Sequence, residues 1–69
     1  MPNYNNRRYI IQNLETMEFL SILNEDLRKC SYTEIQKDAV VYVGRATAAA
    51  VCKHMRKKTG VLHVSVYLK

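Results

Sequence analysis

Five cations in the second half of the chain, Arg45, Lys53, Arg56, Lys57 and Lys58, have the residue types and spacing that suit one chemistry, the binding of an anion. Lys53, Arg56 and Lys57 recur at helical spacing, so a helix would carry them on one side. Arg45 stands in Gly44-Arg45-Ala46-Thr47, between a β-branched run and an alanine-rich segment. If that segment opens a helix, its first amides face outward and attract anions, and the forked guanidinium of Arg45 adds a donor suited to phosphate. Each feature also has a plainer reading. Cations in a last helical turn stabilise the helix dipole by about 0.3–1 kcal/mol each, and a glycine between strand and helix commonly just makes the turn.

The charge distribution favours the binding reading. Residues 1–38 carry Arg7, Arg8, Arg28, Lys29 and Lys37 against Glu15, Glu18, Glu25, Asp26, Glu34 and Asp38, a net −1. Residues 39–69 carry Arg45, Lys53, Arg56, Lys57, Lys58 and Lys69 with no acid, a net +6, which completes the formal +5 of the chain. Surface helices ordinarily mix both signs, so a half without carboxylates projects an unbroken positive field toward phosphates or an acidic protein face. Arg7 and Arg8, beside Tyr4 and Tyr9, add a second basic and aromatic group of the kind on which bases stack; tyrosines in a small sheet also serve as half-buried packing residues.

Other chemistries find less. His54 and His63 are the only histidines, and neither has an Asp or Ser at a suggestive spacing, so the reading is of a protein that is not an enzyme and needs no cofactor. Cys30 and Cys52 form no C-x-x-C, have no histidine pair at zinc spacing, and fall on apolar helical positions, which reads as buried thiols with no metal. No apolar run approaches the roughly 18 residues of a membrane span, and the first residues lack a signal peptide's apolar stretch, so a soluble, cytoplasmic protein is expected.

The elements that must position these groups follow from periodicity. The chain has 69 residues, 48% of them hydrophobic, with two Gly and one Pro, the composition of one folded domain. Residues 1–6 read as a flexible tail and 7–69 as the domain, small enough that self-association into a homodimer is a reasonable expectation. Tyr9-Ile10-Ile11 predicts a strand within Arg7 to Gln12. Asn13 caps a helix from about Leu14, whose inner stripe is Phe19, Leu20, Leu23, Leu27 and Cys30. The segment Ser31 to Asp38 has no clear period.

Ala39 to Val43 predicts a central strand buried on both faces, ended by Gly44. Thr47 or its neighbour opens a second helix with Ala48, Val51, Cys52 and Met55 inward and Gly60 as a left-handed cap. Val61 to Leu68 alternates as a final strand, Leu62, Val64, Val66 and Leu68 toward the interior. This order implies an α/β domain, β-α-β-α-β, with a three-stranded, largely parallel sheet and both helices on one face. Tyr9, Tyr67 and His63, with Tyr42, would line the open face.

The stretch from Ala39 through Gly44-Arg45-Ala46 to Val51 resembles the Alba family of small dimeric chromatin and RNA-binding proteins. The resemblance implies an α/β fold, a dimer, and DNA or RNA held through its backbone, with Arg45 as the matching turn arginine. Two departures stand out: Gln12-Asn13-Leu14-Glu15 replaces the family's basic loop, and there is no room for its long terminal hairpin.

The leading expectation is therefore a non-catalytic nucleic-acid-binding protein that neutralises phosphates with Arg45, Lys53, Arg56, Lys57 and Lys58, and with Arg7 and Arg8. The alternative is a small inhibitor or adaptor, of the kind encoded by viruses and mobile elements, that binds an acidic surface of a protein partner.

Overall fold

Tyr9-Ile10-Ile11 forms the expected strand, and it is the axis of the molecule. The structure, a computed structural model, describes residues 7–23 and 30–68. Its elements are β1 (Arg8–Asn13), β2 (Phe19–Leu23), β3 (Cys30–Thr33), a 3-10 turn (Gln36–Asp38), β4 (Tyr42–Val43), α1 (Arg45–Thr59) and β5 (His63–Leu68). β5 runs antiparallel along the whole of β1, from Arg8↔Leu68 to Asn13↔His63. Two strands share the other edge of β1: β4 pairs with Arg8 and Tyr9, and β2 with Gln12. β3 lies outside β2, and every pairing is antiparallel.

This corrects the expected fold class. The domain is α+β, a five-stranded antiparallel sheet with one helix among the described residues, and not a three-stranded, largely parallel sheet with two helices. The helix foreseen from Leu14 is a hairpin. Asn13 does accept backbone amides, from Glu15 at 2.8 Å and Thr16 at 3.2 Å, but the turn it caps closes at once. Asn13 N–H donates to Glu18 O at 2.8 Å and Met17 N–H to Asn13 O at 2.7 Å, with Met17 at φ 66° reversing the chain. The side-chain oxygen that satisfies a helix start serves an Asx-type turn equally well, so the cap residue alone did not separate the two.

The stripe that looked helical is compatible with a strand for a related reason. Phe19 and Leu20 are both buried, on opposite faces of the sheet, and a register shift between Leu20 and Ile22 breaks the alternation that would have advertised a strand. Leu27 of that stripe lies outside the described residues, and Cys30 begins β3 instead of ending a helix.

Centrality is also reassigned. Only Tyr42 and Val43 of the run Ala39–Val43 are strand, and Val41 and Val43 are 44% and 56% exposed. Ile10 and Ile11 are fully buried instead, one on each face of β1. Tyr9, Ile11 and Leu20 pack with Ala48 and Met55 under α1. Ile10, Phe19 and Ala39 form the opposite cluster, joined by Val66 and Leu68. Tyr9, Tyr67, Tyr42 and His63 therefore lie on the helix side, not on an open one: the register pairs Tyr9 with both Tyr42 and Tyr67.

α1 realises the second expected helix almost residue for residue. Ala48 and Met55 are buried, with Val51 and Cys52 half-buried against the same cluster. It starts at Arg45 and not at Thr47, because Gly44 serves as N-cap at φ 96°, a conformation open mainly to glycine. Gly60, at φ 75°, ends it as expected, with its N–H donating to Arg56 O at 2.9 Å. Thr59 seals the same end: its hydroxyl donates to Met55 O at 2.7 Å and accepts from Val61 N–H at 3.1 Å.

Candidate nucleic-acid interface

α1 positions most of the cations. Arg45, Lys53, Arg56, Lys57 and Lys58 are all exposed, while the reverse of the same helix is anchored by Ala48 and Met55. At about 100° per residue, Arg45, Arg56, Lys53 and Lys57 fall within an arc of about 120°. Lys58 lies about 100° beyond Lys57, past His54, so it falls outside the arc, on the Val51 side of the helix. Arg45 and Lys57 are twelve positions apart, roughly 18 Å along the axis. Among the described residues, no carboxylate forms an ion pair with any of the five.

Arg7 and Arg8 separate. The carbonyl of Arg7 accepts the Gly44 N–H at 2.8 Å, which fixes its backbone one residue from Arg45. Its guanidinium carbon sits 5.2 Å from the Tyr67 ring centroid, on the helix side of the sheet. Arg8 alternates to the other side, with Ile10, and is exposed there. Arg7 thus adjoins the helix start, and Arg8 faces away from it.

The tyrosines do not make the stacking platform that the sequence invited. Tyr9 is 7% exposed, and its ring packs against Tyr67 at 5.7 Å, tilted by 44°. Tyr67 is half-exposed, between Tyr9 and the guanidinium of Arg7. Tyr4 lies outside the described residues.

One polar constellation was not legible in the sequence. His63 is buried, and its Nδ1 lies 2.9 Å from Val61 O, while Nε2 lies 2.9 Å from the Tyr32 hydroxyl. A carbonyl only accepts, so Nδ1 carries the proton; in the neutral ring Nε2 then accepts from Tyr32. The two rings stack at 6.0 Å. Residues 32 and 63 are joined only by the tertiary fold, so nothing in local spacing announces the pair. Its evident effect is structural, tying β3 to the start of β5 beneath α1.

Cys52 carries a free thiol on the inner flank of α1, where burial pushes its pKa up against the smaller opposing effect of a backbone hydrogen bond. That shift keeps the thiol protonated, the inert form. Among the described residues there is no group of three or more potential metal ligands and no pocket, so any ligand of the α1 cations meets an open surface. No described helix is long and apolar enough to cross a membrane.

No family model, curated protein or solved structure matches the chain.

Proposed function

We propose that the chain is a non-catalytic protein of the cytoplasm that binds nucleic acid through its phosphates, with Arg45, Lys53, Arg56 and Lys57 of α1 as the principal contacts. Arg7 supports the same surface from beside the helix start. Lys58 contributes from the flank, and Arg8 is left out of the contact by its direction.

One observation carries this reading: four cations that pair with no described carboxylate share one exposed arc of a helix whose reverse is buried. A surface helix that needed charge only for solubility would mix signs. The dipole term accounts for cations in the last turn but not for Arg45, which sits at the helix start, where a positive charge is unfavourable. A cation held in that position is better explained by a ligand anion that also meets the first-turn amides. The open surface suits backbone contact with little base readout.

The test is fluorescence anisotropy with labelled duplex DNA, single-stranded DNA and RNA at several salt concentrations. Affinity for duplex should fall with salt at a logarithmic slope of about −3 to −4, the counterion release expected for four neutralised phosphates. The triple variant Lys53→Glu, Arg56→Glu, Lys57→Glu should lose binding at low salt while its circular dichroism stays that of the wild type. Undiminished binding by that variant would remove the reading. So would retention of a protein partner from nuclease-treated lysate by a wild type that binds none of the three nucleic acids.

A further inference from the structure

The unpaired edge of β5 offers a second surface, and its pattern fits a copy of itself. Among the described residues β5 pairs with β1 alone. Which of its backbone groups face outward follows from one bond: Leu14 N–H donates to Leu62 O at 3.0 Å, so 14 and 62 are a hydrogen-bonded pair. In an antiparallel ladder such pairs alternate, so Leu62, Val64, Val66 and Leu68 turn their amides toward β1. His63, Ser65 and Tyr67 then turn theirs away. The odd residues of β1 agree: Asn13 N–H and Arg7 O bond to Glu18 and Gly44, on the side away from β5.

Natural edge strands are blunted by lysine, proline, bulges or brevity. The six residues of β5, His63–Leu68, hold no lysine, arginine, carboxylate, proline or glycine, and their pairing with β1 shows no register shift. The opposite edge is different: β3 has only four residues and pairs with β2 through a register shift. One edge of this sheet is defended and the other is not.

We propose that two copies of the chain pair antiparallel through β5 about a dyad at Ser65, forming one continuous sheet. That register sets Ser65 against Ser65 and His63 against Tyr67, so the outward N–H and C=O of all three residues are satisfied in both copies. On the face away from the helices it sets Leu62 against Leu68 and Val64 against Val66. Leu62 is half-exposed, and Val64, Val66 and Leu68 are only part-buried in one copy. Val66 and Leu68 already pack on the Ile10, Phe19 and Ala39 cluster, so pairing extends an existing core across the dyad. A register shifted by one residue would set the outward N–H and C=O groups of one copy against residues whose groups face β1, and the ladder would be lost. α1 packs over Tyr9, Ile11 and Leu20 and also touches β5, but it leaves Ser65 and Tyr67 exposed on its own side, so the outer edge of β5 at the dyad stays open. The dimer stands independently of any phosphate ligand, and it brings both cationic helices to one face.

Sedimentation velocity across a concentration series should give a dimer for the wild type. Ser65→Lys puts like charges opposite each other and should weaken the dimer about tenfold or more. Ser65→Pro removes only an outward N–H and should abolish the dimer while keeping the β1–β5 ladder. An equimolar mixture of Ser65→Lys and Ser65→Glu should recover a dimer through opposite charges at the dyad. Hydrogen exchange gives the register: the His63, Ser65 and Tyr67 amides should be protected in the wild type and released in Ser65→Lys, with Val64, Val66 and Leu68 protected in both. A monomeric wild type at every concentration overturns the proposal. So does a dimer that survives both substitutions at Ser65, or a mixture that recovers nothing.

Discussion

The strand β1 and the outward face of α1 belong to one small domain and contribute to it in opposite ways. β1 has three strand partners and buries Ile10 and Ile11 completely, on opposite faces. The arc of Arg45, Arg56, Lys53 and Lys57 touches solvent, and no described carboxylate pairs with it. Stability is concentrated where the side chains are indispensable to packing, and the charge sits where packing asks nothing of it. A surface with so little structural duty is open to a ligand without cost to the fold.

That contrast can be broken or sharpened by stability measurements. The largest effect is expected for Ile11→Ala, which empties a fully buried site beneath α1 and should cost about 2–5 kcal/mol in urea unfolding. A loss below about 1 kcal/mol would mean that β1 is not the core. The charge-reversed variant of Lys53, Arg56 and Lys57 should lose only the dipole interaction of its last-turn cations, about 1–2 kcal/mol, with its secondary structure intact. A loss comparable to Ile11→Ala would show that these cations hold the fold after all.

Smaller changes calibrate the backbone. Gly60 sits at φ 75° with nothing within 4 Å of an added Cβ, so Gly60→Ala should cost about 1 kcal/mol through conformation alone. At Met17, exposed and at φ 66°, the sign inverts: Met17→Gly relieves the left-handed turn and should raise stability by roughly 0.5 kcal/mol. A destabilised Met17→Gly would mean that the exposed methionine packs against the hairpin.

How far the sequence could be read differed sharply along the chain. α1 was legible because an amphipathic pattern at 3.6-residue period, ended by glycine, has few competing explanations; Ala48, Val51, Cys52 and Met55 lie where their spacing placed them. The hairpin after Asn13 was not, because the capping oxygen and the pair Phe19-Leu20 suit both a helix and a bulged strand. The alternation of β5 was read correctly, and Val66 and Leu68 pack on the side assigned to the interior; what was missed is that the other face is covered as well, with His63 buried there. The cations of α1 were found from charge and helical spacing. The divergence of Arg8 from Arg7 could not be, because it depends on which side of β1 the helix occupies.

The sequence alone determined the local matters: the strand at Tyr9-Ile10-Ile11, the helix ended at Gly60, and a C-terminal half without a carboxylate. Each is set by interactions within a few residues, or by composition itself. Tertiary structure decided which strand is central, which face of β5 meets the helix, that Tyr32 reaches His63, and which strand edge is left unpaired. Those outcomes depend on contacts between residues far apart in the chain, where several pairings satisfy the same local pattern and only the burial of the whole sheet selects among them.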